Sequence, residues 1–291
     1  MPELPEVETI RRQLEPEVAG RTIEDVQVLD ERWTRPLDPR RLEKIVAGRR
    51  IEAVERRGKW LLVRLEGEHT LVMHLRMTGN LVLMPPERAG EEARHLRAVI
   101  GLDDGSELWF TDARRFGHGT LLSDRELDEF FATRVGLEPL SEELTPETLC
   151  CIAEGRTAPL KSFLLTQTGI AGIGNIYADE ALWRARLHPL SPAGSMRPEH
   201  CEDLCEGIVD ALEAGLAHGG SSIDDYRDAW GEQGSMQDEF LVHTREGEPC
   251  LRCGEEIRRI VVTGRSTYFC ANCQRRLRRR PKRSRTRAVS A

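Results

Sequence analysis

Four cysteines near the end of the chain restrict its fold more than any other feature of the sequence. They follow the spacing C-x2-C-x16-C-x2-C and are Cys250, Cys253, Cys270 and Cys273. Each C-x2-C turn places two thiolates on one metal ion, and four thiolates complete the tetrahedron of a structural Zn²⁺ site. We therefore predict a zinc ribbon with one structural Zn²⁺ over residues 238–274. The other cysteines are predicted to be buried packing residues: Cys150, Cys151, Cys201 and Cys205.

Charge is distributed unevenly along the 291 residues, although the net charge is only −7. From Cys250 to the end there are 13 Lys and Arg residues against two Glu, whereas the rest of the chain carries 29 basic and 47 acidic residues. Such asymmetry indicates a polyanion-binding end on an acidic body. We expect residues 275–291 to form a disordered basic tail.

The first eight residues read MPELPEVE and allow two interpretations. If Met1 is removed, Pro2 presents a secondary amine beside carboxylates that can carry protons. The same stretch also suits a helix start, because Pro5 fits the first turn and acidic side chains favour the positive end of the helix dipole. Both can hold together. Arginine does not act as an amine nucleophile, so any other Schiff-base amine must come from one of four lysines. These are Lys44, Lys59, Lys161 and Lys282.

Hydrophobic periodicity predicts an α+β fold whose first part, residues 2–134, is rich in strands. A leading helix over residues 5–18 and a short helix near 39–47 accompany seven strand signals, which is typical of an all-β sandwich or barrel. The predicted strands are 23–29, 51–54, 60–65, 71–77, 81–84, 98–102 and 107–110. A loop-like composition at residues 135–146 predicts an interdomain linker.

Helical patterns dominate residues 147–237, which we predict to be a second domain. The predicted helices are 146–154, 159–167, 175–186, 197–218 and a short one near 223–229. Residues 167–175 contain three glycines and open onto the third helix. This pattern favours either an anion site made of backbone amides or a plain connection between helices.

No membrane segment is predicted, because no apolar run approaches the ~20 residues that a spanning helix needs. The N-terminus also lacks the basic and then apolar pattern of a secretory signal. We therefore expect an intracellular protein.

Six motifs that occur in order together resemble the formamidopyrimidine-DNA glycosylase family. They are Pro2–Thr9, Arg57–Lys59, His74–Gly79, Asp112–Gly117, Gly172–Glu180 and Gly264–Cys270. The resemblance runs from Pro2 to about Gln274. It implies an N-terminal β-sandwich with a leading helix, a helix–two-turn–helix domain and a zinc finger. It also implies a monomeric bacterial enzyme of the cytoplasm and nucleoid that removes oxidised purines from double-stranded DNA and cleaves abasic sites.

The resemblance also implies catalytic roles. Pro2 would attack the sugar of the damaged nucleotide, and Glu3 would be its general acid and base. Glu6 would set the environment of that carboxylate or contact the sugar. Lys59 and Arg265 would hold phosphates close to the lesion.

Further residues are implied to contact DNA. His74 and Asn175 would bind phosphates, and Lys161 would contribute a DNA contact. A base swung out of the helix leaves a gap in the stack. The side chains implied to fill this gap are Met77, Arg114 and Phe116. Residues 219–235 correspond to the loop that covers the extruded base.

Several positions depart from the common pattern of this family and leave its finer properties open. Arg76 stands where Gly is frequent, Ala113 where Pro is frequent, and residues 242–245 replace a Tyr-Gly pair. Residues 226–230 also differ, which bears on base preference. The alternatives are an oxidised-pyrimidine glycosylase resembling endonuclease VIII and a catalytically silent zinc-ribbon DNA-binding protein. Among these interpretations, Leu4 and the residues Val7–Thr9 that follow the shared Pro2 and Glu3 favour the oxidised-purine glycosylase over the endonuclease VIII type.

Overall fold

The computed structural model describes residues 1–89, 93–223 and 225–278. The basic tail beyond residue 278 lies outside this range. Helix α1 (Leu4–Val18) begins the ordered chain, because Glu3 and Glu6 form a capping box and Pro5 occupies the first turn. Its apolar face is fully buried against strand β2 (Ile51–Arg57) and against helix α7 (Pro198–Ala217) of the second domain. The helix predicted over residues 5–18 is therefore confirmed, and it packs against both domains.

Two four-stranded antiparallel sheets form the N-terminal domain, as the sandwich prediction requires. One sheet has the order β1-β6-β7-β5 and the other β2-β3-β4-β8, with one apolar core between them. The remaining strands are β1 (Ile23–Val28), β3 (Trp60–Leu65), β4 (His69–His74), β5 (Gly79–Met84), β6 (Leu96–Leu102), β7 (Glu107–Asp112) and β8 (His118–Ser123). Helix α2 is Pro39–Val46, and helix α3 is Asp124–Ala132.

Strand β8 and helix α3 were missed by the sequence analysis. Strand β8 contains Gly119, which lies under the ring of Trp33 where there is no room for a side chain, and this glycine interrupts the strand pattern. Helix α3 spans only nine residues, and it packs Leu127, Phe130 and Phe131 against Leu62 and Val72.

The second domain is helical, and its core surrounds the packed helices α6 (Asn175–Arg184) and α7 (Pro198–Ala217). Helices α4 (Pro146–Ala153) and α5 (Leu160–Leu164) complete it. The short helix predicted near 223–229 is wrong, because the described residues there form no helix and bury Tyr226 and Ala229 in the N-terminal core. Among the described residues, no helix is long and apolar enough to cross a membrane.

Two cysteines predicted to be ordinary packing residues form a disulfide instead. Cys150 of α4 and Cys201 of α7 are bonded across a sequence separation of 51. Cys205 is buried as predicted, whereas Cys151 is exposed. The disulfide therefore links helices α4 and α7, which also pack against each other.

The C-terminal hairpin consists of β9 (Ile257–Val262) and β10 (Arg265–Cys270). It packs through Ile257 and the cysteines against Trp183 of α6. The guanidinium of Arg252 lies 3.9 Å from the centroid of the Trp183 ring, which adds a cation–π contact. Helix α6 therefore positions the hairpin.

Candidate active site

The Glu3 carboxylate lies on the amino end of helix α6. Its Oε2 accepts the backbone N–H of Gly174 at 2.7 Å, and its Oε1 accepts that of Ile176 at 3.0 Å. The backbone N–H of Leu4 donates to the carbonyl of Gly172 at 3.0 Å. Amides at a helix start favour negative charge. The glycine-rich stretch therefore is an anion site, and the anion it holds is a carboxylate of this chain.

Glu6 holds Glu3 from the opposite side and is only 1% exposed. Its carboxylate accepts the backbone N–H of Glu3 at 2.7 Å, the hydroxyl of Tyr177 at 2.7 Å and the N–H of Ser221 at 2.8 Å. Burial raises the pKa of Glu6, and the nearby Glu3 carboxylate raises it further. This position favours the first of the two roles predicted for Glu6, which is to set the environment of Glu3.

A cavity of about 220 Å³ opens in front of Glu3. Its lining comes from the N-terminal domain, the helical domain and the C-terminal hairpin, so it forms only when all three are assembled. The lining includes Met1, Glu3, Met77, Asn175, Ile223, His243 and Arg265. Glu3 therefore lines this cavity, and Pro2, its neighbour in the chain, is buried.

Lys59 reaches the same cluster from the turn between β2 and β3. Gly58 makes this turn with a φ of +57°, which favours glycine. Burial lowers the pKa of Lys59, while the carboxylates of Glu3 and Glu6 oppose this shift and the positive charge of Arg265 adds to it. The ammonium group therefore lies within the electrostatic range of the Glu3 carboxylate, although the two residues are far apart in the chain.

Asn175 and Arg265 meet where helix α6 contacts the C-terminal hairpin. The Asn175 Nδ2 donates to the carbonyl of Ser266 at 3.0 Å, whereas its buried Oδ1 has no hydrogen-bond partner among the described residues. Arg265 follows the hairpin turn and is exposed at the cavity. The contact with α6 thus holds the hairpin so that Arg265 lines the same cavity as Glu3.

His74 lies at the end of β4 with 8% of its surface exposed. Its Nδ1 accepts the backbone N–H of Arg76 at 2.9 Å, so the neutral ring carries its proton on Nε2. Burial lowers the pKa of His74 well below its ordinary value, and the cations Arg76 and Lys59 lower it further. The ring packs edge-on against Trp60 at 4.5 Å between centroids. His74 is therefore a neutral donor at neutral pH.

The structure brings together the three side chains predicted to fill the gap in the base stack. The Arg114 Nη1 donates to the Met77 Sδ at 3.2 Å. The guanidinium of Arg114 lies 4.8 Å from the centroid of the Phe116 ring. Phe116 is 52% exposed, which is unusual for a large apolar side chain and suits a group that inserts into another molecule.

Asp112 holds both loops that carry these three side chains, and the sequence analysis missed it. It accepts the hydroxyl of Thr78 on one loop. On the other loop it accepts the backbone N–H of Arg114 at 3.1 Å and that of Gly117 at 2.6 Å. Asp112 is 1% exposed. An Asp that ends a strand before a glycine-containing loop is a signal for such a turn.

Lys161 does not have the placement predicted for it. It is 0% exposed, and its Nζ donates to Asp179 Oδ1 and to the carbonyl of Asn175, both at 2.6 Å. Burial lowers the pKa of Lys161, and the ion pair with Asp179 opposes the shift. A direct DNA contact does not fit this geometry, because the ammonium stabilises the start of helix α6 instead.

Two acids of α6 fix residues 242–245, where the sequence departs from the family pattern. The Glu180 carboxylate accepts the backbone N–H groups of Val242 at 2.9 Å and His243 at 3.0 Å. The His243 Nδ1 lies 2.8 Å from Asp179 Oδ2. Residues 242–245 are therefore held on helix α6 although their sequence differs from the family pattern. The chain enters the hairpin from this held segment.

The four cysteines of the predicted zinc site converge at the base of the hairpin. Their sulfur atoms all lie within 4.8 Å of one another, and two of the pairs are 4.0 Å and 3.5 Å apart. Tetrahedral Zn²⁺ with Zn–S bonds of about 2.3 Å requires sulfur separations of roughly 3.8 Å. The donor set and spacing fit one Zn²⁺.

The sandwich, the helical domain, the four-thiol finger and the Glu3 cavity together define a DNA glycosylase of base-excision repair. Three family models match the chain in order. They are the formamidopyrimidine-DNA glycosylase N-terminal domain at residues 1–119, the H2TH domain of the same enzyme at 135–227, and the zinc finger found in FPG and IleRS at 247–276. The chain therefore belongs to the formamidopyrimidine-DNA glycosylase family, and its finger is a site for one structural Zn²⁺.

Individual relatives agree with this assignment. The chain is 49% identical over 276 residues to the formamidopyrimidine-DNA glycosylase of Chloroflexus aurantiacus, covering 94% of this chain and 98% of the relative. It is 45% identical over 277 residues to that of Heliobacterium modesticaldum, covering 94% and 100%.

Solved structures show the same fold. The chain aligns with wild-type Lactococcus lactis Fpg (MutM) in complex with DNA containing N7-benzyl-Fapy-dG, with a TM-score of 0.87 and 36% identity. It aligns with Lactococcus lactis Fpg in complex with abasic-site DNA, with a TM-score of 0.86 and 35% identity. Both alignments cover 94% of this chain and 100% of the other.

Proposed function

We propose that this enzyme excises oxidised purines, such as 8-oxoguanine and formamidopyrimidines, from double-stranded DNA and then cleaves the abasic strand. The observation that carries the proposal is the Glu3 carboxylate, fixed on helix α6 next to Pro2 and facing the cavity. The relatives crystallised with formamidopyrimidine and abasic DNA support the choice of substrate. Action on chromosomal DNA would place the enzyme at the bacterial nucleoid.

The reaction begins at the amine that Pro2 presents once Met1 is removed. An N-terminal amine has a pKa near ~8, so a neutral fraction exists at physiological pH. The nitrogen attacks C1′ of the damaged nucleotide, the bond from C1′ to the base breaks, and the amine proton passes through Glu3 to the leaving base. The C1′–O4′ bond then opens to give an iminium, and O4′ takes a proton drawn from solvent.

The iminium explains strand cleavage. A secondary amine forms a permanently cationic iminium, which withdraws electrons from C2′. Solvent water takes a C2′ proton, a C2′–C3′ double bond forms, and the C3′–O bond breaks to release the 3′ phosphate. Loss of the C4′ proton to water then breaks the C5′–O bond and releases the 5′ phosphate. Lys59, Arg265 and the Nε2–H of His74 hold phosphates during these steps, because charged and neutral N–H donors bind phosphate oxygens.

The side chains beside the cavity support extrusion of the damaged nucleotide. Asn175 presents an unpaired buried oxygen at the cavity, next to the cationic Arg265. Met77, Arg114 and Phe116 form one cluster that fills the space left in the duplex. Lys161 supports this arrangement indirectly by holding the start of helix α6.

Borohydride trapping tests the proposal directly. The enzyme is mixed with a duplex that holds 8-oxoguanine opposite cytosine, and borohydride reduces any iminium to a stable adduct. Mass spectrometry of the N-terminal peptide should show Met1 removed and the sugar attached to Pro2. An adduct on Lys59, or none with either an 8-oxoguanine or an abasic duplex, would contradict the mechanism.

The acid–base role is tested with Glu3→Gln, which preserves volume and removes the proton carrier. We expect base release to fall by about 100-fold. Glu24→Gln is the matched control, because Glu24 is exposed on β1. Trapping only on oxidised pyrimidines would indicate specificity like that of endonuclease VIII, and binding without trapping would indicate a silent DNA-binding protein.

A further inference from the structure

We propose that Asn80 and Gln13 are positioning residues that clamp one wall of the active-site cavity to the N-terminal domain. The cavity wall consists of residues 221–223 and 225–229. The clamp should control release of the damaged base but not cleavage at an abasic site that already exists. This inference rests on the proposed function and deepens it.

The cavity wall stands at the same cavity as the catalytic residues. Ser221, Ile223 and Tyr226 line it together with Glu3 and Met77. The Ile223 side chain is 45% exposed, although it is large and apolar. We expect a base that enters the cavity from DNA to contact this wall, whereas an abasic sugar lacks the base that would make this contact.

The beginning of the wall is fixed by hydrogen bonds that leave it little freedom. The backbone N–H of Ser221 donates to Glu6 Oε1 at 2.8 Å, and that of Ser222 donates to Gln237 Oε1 at 2.8 Å. The Ser222 hydroxyl accepts the backbone N–H of Gly234 at 3.0 Å. This end is thus held by α1 and by the chain that follows the wall.

Asn80 of strand β5 holds the other end with both atoms of its amide. Its Nδ2 donates to the carbonyl of Asp225 at 3.0 Å, and its Oδ1 accepts the backbone N–H of Arg227 at 2.8 Å. Asn80 is 9% exposed. One amide side chain supplies a donor and an acceptor at once, which a carboxylate or a hydrocarbon cannot do. Its loss would leave two backbone groups without their partners in a water-poor place.

Gln13 of helix α1 makes a second contact of the same kind. Its Nε2 donates to Asp228 Oδ2 at 2.7 Å, and its Oε1 accepts the backbone N–H of Ala229 at 2.9 Å. The carbonyl of Ala229 in turn accepts the N–H of Leu83 on β5 at 2.8 Å. The end of the wall is therefore hydrogen-bonded to the N-terminal domain, although in the chain the wall follows helix α7 of the helical domain.

The two clamps connect the wall to the elements that carry the active residues. Asn80 lies three residues after Met77, and Gln13 lies on the helix that starts beside Glu3. The distance between wall and catalytic carboxylate is thus set through α1 and β5. Because a misplacement of about 1 Å can cost up to about 100-fold in rate, a loosened wall should slow the step that depends on holding the base.

The test compares two reactions of the full-length zinc enzyme on two duplexes. Single-turnover base release is measured with 8-oxoguanine opposite cytosine, and strand cleavage with a preformed abasic site. For Asn80→Ala and Gln13→Ala we expect base release to slow by about tenfold or more, with abasic cleavage within about twofold of the parent. Gln27→Ala is the matched control, because Gln27 is an exposed amide of the same domain whose Nε2 donates to Asp25 Oδ2.

Hydrogen exchange provides a readout that does not depend on activity. The amides of Arg227 and Ala229 should exchange faster in Asn80→Ala and Gln13→Ala, respectively, and peptides from α6 should be unchanged. Equal losses in both reactions, or unchanged exchange in the wall, would overturn the inference. A parent enzyme that cleaves abasic DNA but releases no oxidised purine would instead overturn the proposed substrate.

Discussion

The Glu3 carboxylate and the backbone N–H of Gly174 are 2.7 Å apart, although 171 residues separate them in the chain. This contact places the candidate general acid on the amino end of a helix from another domain. It leaves no room for a side chain at position 174, because a Cβ there would overlap the carboxylate of Glu3. Gly174 has an ordinary extended backbone with φ of −123°, so alanine would be tolerated by the backbone itself.

Gly174→Ala should therefore displace Glu3 without straining the main chain. We expect base release from an 8-oxoguanine duplex to fall by about 100-fold, since general acid–base catalysis contributes at least this much. Gly169→Ala is the control in the same glycine-rich stretch, because a Cβ there would meet its nearest neighbour at 3.6 Å. Equal rates for the two variants in single-turnover assays would contradict the role of the contact.

Asp112→Asn should loosen the two loops that carry Met77, Arg114 and Phe116. An amide nitrogen would face the backbone N–H groups that Asp112 now accepts, and a buried donor left unsatisfied costs about 1–3 kcal/mol. Urea denaturation should show this loss, and fluorescence of 2-aminopurine next to the lesion should show slower extrusion. Asp128→Asn, on the exposed face of α3, should change neither measurement.

The depressed pKa of His74 predicts a pH dependence of stability. The folded protein keeps His74 neutral, whereas the unfolded chain protonates it below about pH 6.5. The contribution of His74 to stability is therefore fully present at pH values above its pKa in the unfolded chain. It is lost as the pH falls through about 6.5 toward its lower pKa in the folded protein. Between pH 7.5 and 5.5 this amounts to about 1 kcal/mol.

His74→Gln removes this titration and keeps a hydrogen-bond donor. The free energy of unfolding, measured with urea, should fall less between pH 7.5 and 5.5 in the variant than in the parent. Between pH 7.5 and 8.5 the difference between the two proteins should be constant. A parallel fall of both proteins at acidic pH would show that His74 is protonated in the folded state.

Removal of zinc should weaken DNA binding, because the C-terminal hairpin would unfold without its metal ion. Cys270→Ser removes one of four ligands, and structural zinc sites contribute directly to folding. We expect the metal content to fall from one zinc per chain, and damaged-DNA affinity to fall with it because Arg265 loses its position. Cys151→Ser, which changes an exposed cysteine outside the cluster, should retain both properties.

The disulfide between Cys150 and Cys201 should stabilise the helical domain. Its loop spans 51 residues, and the chain-entropy estimate for such a loop gives about 4 kcal/mol as an upper value. The double change Cys150→Ala and Cys201→Ala should lower the free energy of unfolding by about 2–4 kcal/mol. Unchanged stability in urea, or free-thiol titration that finds both cysteines reduced in the purified protein, would contradict this role.

Local sequence information determined much of this protein. Helix α1, most strands and the helices of the second domain follow from periodicity and from capping residues, because these signals act between near neighbours in the chain. The zinc ligands follow from spacing for the same reason. Ordered motifs placed the chain in its family and selected Pro2 and Glu3 before any geometry was known.

Tertiary structure alone decided how those residues work together. Glu3 could be recognised as an acid, but its position on helix α6 depends on packing between two domains. Lys161 was expected to contact DNA, yet the fold buries it beside Asp179. Cys150 and Cys201 were expected to be ordinary packing residues, yet they form a disulfide. Asp112 carries a local turn signal, but its contact with Thr78 on the second loop depends on the fold. Asn80 carries no distinctive signal, because an Asn acquires its role from the backbone groups that the fold brings to it. Contacts between residues distant in the chain have no local pattern, so only the assembled structure reveals them.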